Sequence, residues 1–301
     1  MPTVRISLAG PLDLARTLGP HRRGYGDPSL RIDGPRAWRA TRTVDGPASI
    51  VIEAHADHVR GEAWGPGAAR ALDALPAMLG LDRPADGGAV RQHRLLGELA
   101  KRHAGLRIGR TGAVMEALVP AILEQKVTGL EARTGFRRLV AALGEVAPGP
   151  PALRLRLPPT PERLAATPYH VFHPFGIERR RADLVRRAAA RAGWFEAIVD
   201  MPLPDAYARL TALSGLGPWT AAEVAVRALG DLDAVSVGDY HIPNLVAWAL
   251  AGEPRGTDDR MLELLEPFRP YRAMAVRLLE VSGIRAPRYG PRYAARGIET
   301  M

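Results

Sequence analysis

Hydrophobic and polar positions divide the chain into an alternating part and a helical part. Between Trp38 and Trp64, apolar residues recur at every second position. Trp38–Val44, Ser49–Ala54 and His58–Trp64 therefore predict strands, the first two joined by an Asp45-Gly46-Pro47 turn. An Ala/Leu-rich stretch, Ala68–Leu79, predicts a helix, and the polar break Arg83–Gly88 closes this part of the chain. From Val90 the period changes. Met115, Leu118, Val119, Ile122, Leu123, Val127 and Leu130 follow the i, i+3, i+4 spacing of one buried helical face, kinked at Pro120. The Pro-rich segment Pro148–Pro161 predicts a loop. Further helices are expected over Pro161–Ala166, Arg179–Ala192, Leu203–Leu213, Pro218–Leu229, Asp239–Leu250, Asp258–Leu265 and Tyr271–Ser282. The resulting expectation is an α+β chain: a small antiparallel sheet domain over residues 1–88, a mainly α-helical body over 89–283, and a basic tail over 284–301.

Composition narrows the chemistry. A chain of 301 residues that is 47% hydrophobic has enough apolar material for a large core. It has no cysteine, which excludes disulfides, cysteine-ligated zinc, iron–sulfur clusters and thiol catalysis. No stretch approaches the roughly 18 apolar residues of a membrane span, and Met1–Arg5 begins no signal-peptide pattern. A cytoplasmic, nucleoid-associated monomer is the expectation. The net charge of +9, with all but two of the 41 cations arginine, would attract a polyanion through counterion release. Nucleic acid is the partner this charge suits.

Two short segments carry the candidate chemistry. Leu213-Ser214-Gly215-Leu216-Gly217-Pro218-Trp219-Thr220-Ala221 lies between two expected helices. Its paired glycines permit a hairpin with positive φ, and Pro218 suits a first helical turn. Such a turn points helix N-terminal N–H groups outward, where they can hold a phosphate; the same residues would also make an ordinary helix connection. Twenty positions after Trp219, Asp239 directly precedes an apolar-periodic helix, where an aspartate is a preferred N-cap. His170 with His173 and His55 with His58 have no convincing third metal ligand.

Taken together, Leu-x-Gly-Leu-Gly-x-x-Thr-Ala and the later Val-x-Asp-Tyr resemble the helix–hairpin–helix DNA glycosylases, in particular their 3-methyladenine DNA glycosylase II branch. Pro11-Leu12-Asp13 with Leu18-Gly19, Ala121–Val127 and Arg269–Arg272 extend the resemblance over nearly the whole chain. It implies a sheet domain ahead of a helical body with a cleft between two helical lobes, and no iron–sulfur cluster. It also implies base-excision repair of double-stranded DNA: hydrolysis of the N-glycosidic bond of alkylated purines after base flipping.

By the same resemblance Asp239 is the catalytic carboxylate, and Trp219, Tyr240, Tyr271 and Glu223 line the base pocket. Gly215, Gly217, Pro218, Thr220, Gln125, Lys126 and Gly176 meet DNA, with Gln125 filling the gap left by the base and Lys126 on a phosphate. Backbone carbonyls of Thr211, Leu213 and Leu216 match positions that hold a monovalent cation, sodium or potassium; no other cofactor is required. Tryptophan stands where relatives with lyase activity have a lysine, so the expected enzyme is monofunctional. Two aromatics of the pattern are absent, Glu223 and Pro20 standing in their places. Glu223 is left either as a pocket acceptor or as a solvated helix residue. The arginines of Glu178–Arg191 read mainly as a solvated face, with one or two reaching phosphate. Glycosylases for deaminated bases such as hypoxanthine, a non-catalytic DNA-binding module and RNA binding through the tail remain alternatives.

Overall fold

The computed structural model describes residues 1–83 and 87–287; the end of the expected basic tail, from residue 288, lies outside the described residues. Five antiparallel strands form one sheet in the order β1-β5-β4-β3-β2, with β1 Thr3–Ser7, β2 Leu30–Asp33, β3 Arg36–Thr43, β4 Gly46–Ala54 and β5 His58–Trp64. The three central strands are those the alternation predicts: β5 matches its expected range, while β3 and β4 begin two and three residues earlier and β3 ends one residue sooner. One face of the sheet buries Ala37, Ile50, Ile52, Val59 and Ala63 against Leu72, Leu75, Met78 and Leu79. The first three come from Ala68–Asp73 and Leu75–Met78, two short helices where one was expected, and Leu79 ends the second. Pro76 falls in the first turn of the second helix, where its missing N–H costs nothing. The edge strands β1 and β2 were not anticipated.

The helical body has two apolar cores. The first surrounds the Val114–Leu123 helix, all of which is buried except Glu116, and draws in Phe136, Leu139, Phe172, Leu184, Phe195, Leu210, Leu213, Leu216 and Val224. No side chain of its own caps that helix. Glu196, at the end of the Ala192–Glu196 helix, accepts from the Val114 and Met115 amides at 2.9 and 2.8 Å, an anion set against the positive end of the helix dipole. The second core joins Val90, Leu96, Leu99 and Leu106 to Val246, Met261, Leu265, Phe268, Leu278 and Leu279. The chain thus starts the second lobe, builds the first, and returns to complete the second.

Two expectations need correcting. The helix expected to run to Leu130 stops at Leu123, because Lys126 takes φ 55° and Thr128 opens a new helix, Gly129–Leu143, through a capping box with Glu131. Leu130 is consequently 59% exposed rather than part of a buried face. The Pro-rich loop also holds structure: Arg156–Leu157 pairs with Glu145–Val146, and Leu155 and Leu157 pack on Ala40 of the sheet.

Sheet and body are joined through Glu116. Its carboxylate accepts from Arg39 Nη2 at 2.9 Å, Thr41 Oγ1 at 2.8 Å and the Arg42 amide at 2.9 Å. Arg39 is buried, so removing its partner strands a charge in a poorly hydrated place. Glu116→Ala should cost about 3–5 kcal/mol of stability. Urea unfolding of the two proteins checks this; a loss below 1 kcal/mol would mean that water replaces the carboxylate.

Candidate active site at the seam between two helical cores

The hairpin joins the Leu203–Thr211 and Pro218–Val224 helices. Leu213 and Leu216 anchor it in the first core, and the Leu216 amide donates to the Leu213 carbonyl at 3.0 Å. Only one of the two glycines is left-handed. Gly215 has φ 104°, and a Cβ there would lie 3.1 Å from Leu184. Gly217 is extended, at φ −99° and ψ −178°, and a Cβ there would meet nothing within 4 Å. The surface beside it is open to close approach. Pro218 begins the second helix, whose first-turn amides at Trp219 and Thr220 have no partner within the helix. Arg187 donates to the Ser214 carbonyl at 3.0 Å, which puts one cation of the 178–191 run at the hairpin.

Gln125, expected to fill the gap left by the base, is tied to the hairpin. Its Nε2 donates to the Gly215 carbonyl at 3.1 Å and to Thr220 Oγ1 at 2.9 Å. Gln125 and the buried Thr220 hydroxyl therefore brace the hairpin from behind. Lys126, the next residue, is exposed.

Asp239 lies at the seam. Its Oδ1 accepts from the His241 and Ile242 amides at 2.7 and 2.9 Å, at the start of the Ile242–Ala251 helix. Its Oδ2 accepts from the Trp219 indole N–H at 3.1 Å. Trp219 packs on the first core, whereas Val235, Val237 and Ile242 pack on the second. The N-cap position itself is His241, two residues later than expected, yet the Asp239 carboxylate holds the amides that lead into the helix, bridges two lobes and remains only half-buried.

One helical turn beyond Trp219, Glu223 is neither solvated nor free to receive a base. It pairs with Arg227 at 2.5 Å and accepts from Ser236 Oγ at 2.6 Å. Burial alone would raise its pKa, but Arg227, Ser236 and Arg23 outweigh that and hold the carboxyl below its ordinary range. Arg227 also donates to the Pro20 carbonyl at 3.0 Å. Burial, reinforced by Arg39, Arg227, Arg23 and Arg277, holds His21 well below the usual histidine range and so neutral. Glu223 and Arg227 thus form an i, i+4 ion pair on the helical stretch that begins at Pro218 and carries Trp219 one turn earlier.

The remaining candidates are scattered. Tyr240 is beside Asp239 in the chain but 75% exposed, edge-on to His241. Tyr271 belongs to the second core and its ring lies against Gly88, with no hydrogen bond or ring contact to Trp219 or Asp239 among the described residues. Gly176, at φ 79°, ends the His173–Phe175 turn before the Arg179–Ala189 helix. Thr211, Leu213 and Leu216 lie along the hairpin, where the Leu213 carbonyl keeps a lone pair beyond the one given to Leu216. Among the described residues no three histidine or acidic side chains group as metal ligands. Sequence reasoning missed the Gln125 brace and the Ser236–Glu223 bond. Neither has a local signal, since Gln125 meets partners 90 and 95 residues away.

The depressed Glu223 carboxyl has a consequence for acid stability. Its contribution is complete above the unfolded-state pKa of about 4.3 and is lost as pH falls through the lower folded value. Glu223→Gln should therefore be less stable than the parent at pH 7, with the gap narrowing below about pH 4. Thermal melts across pH 3–7 check this, and a gap that widened in acid would contradict the ion pair. At Asp239, asparagine should keep the bonds to the helix start whereas alanine should cost about 0.5–2 kcal/mol, read in the same melts.

No protein-family model matches the chain. It is 37% identical over 136 residues to a Mycobacterium tuberculosis protein described as a bifunctional transcriptional activator/DNA repair enzyme, AlkA; the match takes in 45% of this chain and 27% of that one. A Bacillus subtilis protein named as a DNA-3-methyladenine glycosylase, YfjP, is 24% identical over 184 residues, 60% of this chain and 62% of its own. The chain thus spans about a quarter of the mycobacterial relative and under two thirds of the Bacillus one. The solved 3-methyladenine DNA glycosylase of Archaeoglobus fulgidus superposes with a TM-score of 0.79 at 19% identity, covering 92% of this chain and 97% of that structure. The fold is the one this solved glycosylase adopts, and the two sequence relatives are described as a DNA repair enzyme and a DNA-3-methyladenine glycosylase.

Proposed function

We propose that the protein is a monofunctional DNA glycosylase that hydrolyses the N-glycosidic bond of alkylated purines in double-stranded DNA. The observation that carries this reading is the Asp239 carboxylate, held half-exposed at the seam by Trp219 and by the start of a helix. A base inside a duplex is out of reach, so the nucleotide must be extruded into the cleft. Loss of the base leaves an oxocarbenium-like sugar, and a fixed carboxylate beside it stabilises the developing cation without having to reorganise. Alkylated purines carry positive charge and leave readily, so the protein need supply little acid catalysis. The hairpin would grip the strand through the open surface at Gly217 and the amides of Trp219 and Thr220. A sodium or potassium ion on the carbonyls of Thr211, Leu213 and Leu216 would add positive charge facing a phosphate.

The absence of a lyase step follows from Trp219, since an indole cannot form a Schiff base. Of the two lysines, Lys101 pairs with Glu98 at 2.9 Å, which leaves Lys126 as the rival nucleophile.

The Glu223–Arg227 pair favours a second reading in the same class. Because Arg227 neutralises Glu223, with Ser236 donating to it, this side of the site carries no net negative charge that would single out a cationic base. That suits a neutral deaminated purine such as hypoxanthine as well as a cationic one.

Base release measured over a panel of methylated, etheno and deaminated duplexes distinguishes these substrates. Asp239→Asn should lose at least about a hundredfold in release while binding DNA within threefold of the parent. Borohydride should trap no covalent adduct with parent or with Lys126→Ala. Undiminished release in Asp239→Asn, or an adduct that vanishes in Lys126→Ala, would overturn the mechanism. Binding without release from any substrate would leave a DNA-binding module.

A further inference from the structure

We propose that Tyr25, with Arg133 and Arg137, forms a second DNA contact beside the hairpin, where the free ring face stacks on a base exposed in a disrupted duplex. The inference rests on the reading of the protein as a DNA-binding glycosylase.

Tyr25 is 94% exposed, more than any other large hydrophobic side chain among the described residues. A lone exposed aromatic on a slack loop would carry no argument, but this loop is built. Asp27 is buried, and its carboxylate accepts from the Arg23 amide at 2.7 Å, from the Ser29 amide and hydroxyl at 2.8 Å each, and from the Leu30 amide at 3.2 Å. Arg23 turns inward to meet Glu124 at 3.0 Å. Gly24, at φ 84°, makes the bend. The turn therefore holds the tyrosine out while its neighbours point in.

The surroundings match a nucleic acid. The Arg22 guanidinium lies 4.5 Å from the ring centroid and covers one face, leaving the other for a planar partner. The loop runs along the Gly129–Leu143 helix: a Cβ at Gly24 would lie 2.7 Å from Arg133, and one at Gly26 would lie 3.3 Å from Arg137. Both arginines are exposed, and neither has an ion pair or hydrogen bond among the described residues, in contrast to most arginines of the chain. Unpaired cations around an outward aromatic combine phosphate attraction with base stacking, the pairing that single-strand binding surfaces use. The patch is also continuous with the candidate site. Arg23 holds Glu124, and Gln125, the next residue, holds the Gly215 carbonyl of the hairpin. A duplex gripped at the hairpin would thus extend toward Tyr25, where extrusion of a nucleotide leaves a neighbouring base unstacked.

Fluorescence anisotropy over a range of salt tests this, with an intact duplex, the same duplex carrying a tetrahydrofuran abasic analogue, and a matched RNA. Tyr25→Ala should weaken binding to the abasic duplex about tenfold, the scale of one base–aromatic stack. It should change intact-duplex binding much less, and Tyr25→Phe should retain the affinity. Arg133→Ala with Arg137→Ala should weaken both duplexes and lower the salt slope by about two. Unchanged melting temperatures would exclude a folding defect. The proposal fails if Tyr25→Ala leaves the abasic duplex unaffected, or if only RNA binding responds. Gly217→Val separates the two readings: if it abolishes DNA binding while the Tyr25 and arginine variants do nothing, the hairpin reading stands without this contact. A parent protein that binds no DNA sinks both.

Discussion

The structure turns on a single carboxylate shared by two helical lobes. Asp239 gives one oxygen to the amides that open a helix of the second core and the other to an indole seated on the first. The anion is stable there because the positive end of the helix dipole and the indole N–H converge on it. Each partner also restricts the side chain's rotation. The result is a fixed negative charge at a half-open seam, and such a group can stabilise a forming sugar cation without waiting for solvent to reorganise. Holding the helix start therefore does not compete with the role proposed for Asp239: the amide bonds aim the carboxylate.

The rest of the seam follows a related logic, in which charge is placed where water is scarce and then paired. Glu223 with Arg227, Glu116 with Arg39 and Glu124 with Arg23 each bring a helical carboxylate to an arginine. Two of these arginines come from the N-terminal part of the chain, so the sheet domain is attached through ion pairs as well as apolar packing. Buried pairs of this kind add little net stability over apolar substitutes, yet losing either partner is costly. Their effect is to set position. The Ser236 hydroxyl that donates to Glu223 also stands three residues before Asp239, and the Ser236 carbonyl receives the Asp239 amide at 3.1 Å. The charged pair thus positions the loop that carries the candidate catalytic group.

How much of this was legible in the sequence depends on how local the determinants are. The central strands, the hairpin and the helices at Pro161–Ala166 and Asp258–Leu265 rest on neighbouring residues; the two helices match their expected limits, and the strands differ by at most three residues at an end. The tie between Asp239 and the start of the next helix was visible in the sequence, with the helix beginning three residues later than expected. The break after Leu123 was missed because the apolar spacing continues through Val127 and Leu130; the Thr128–Glu131 capping box outweighs it. β1 was missed although Val4 and Ile6 alternate correctly, since five residues give little periodicity to read. Glu223, Gln125 and Tyr271 were assigned by resemblance, and their actual partners lie in parts of the fold that no local pattern brings together. Positions transfer between relatives more readily than contacts do.

The Gln125 brace shows why that distinction matters for recognition. A glutamine at the tip of this helix has an ordinary surface composition, yet both of its amide hydrogen bonds are spent on the hairpin. Its neighbour Lys126 takes a left-handed backbone conformation that a lysine adopts only at some cost. The two facts have one explanation. Fixing Gln125 inward and starting a capped helix at Thr128 leaves two residues to reverse the chain, and the first must bend the wrong way to do so. The reversal pushes Lys126 into solvent beside the hairpin and sets Leu130 outward one turn later. Lys126 and Leu130 are thus exposed because Gln125 is committed to the hairpin and Thr128 to the next helix.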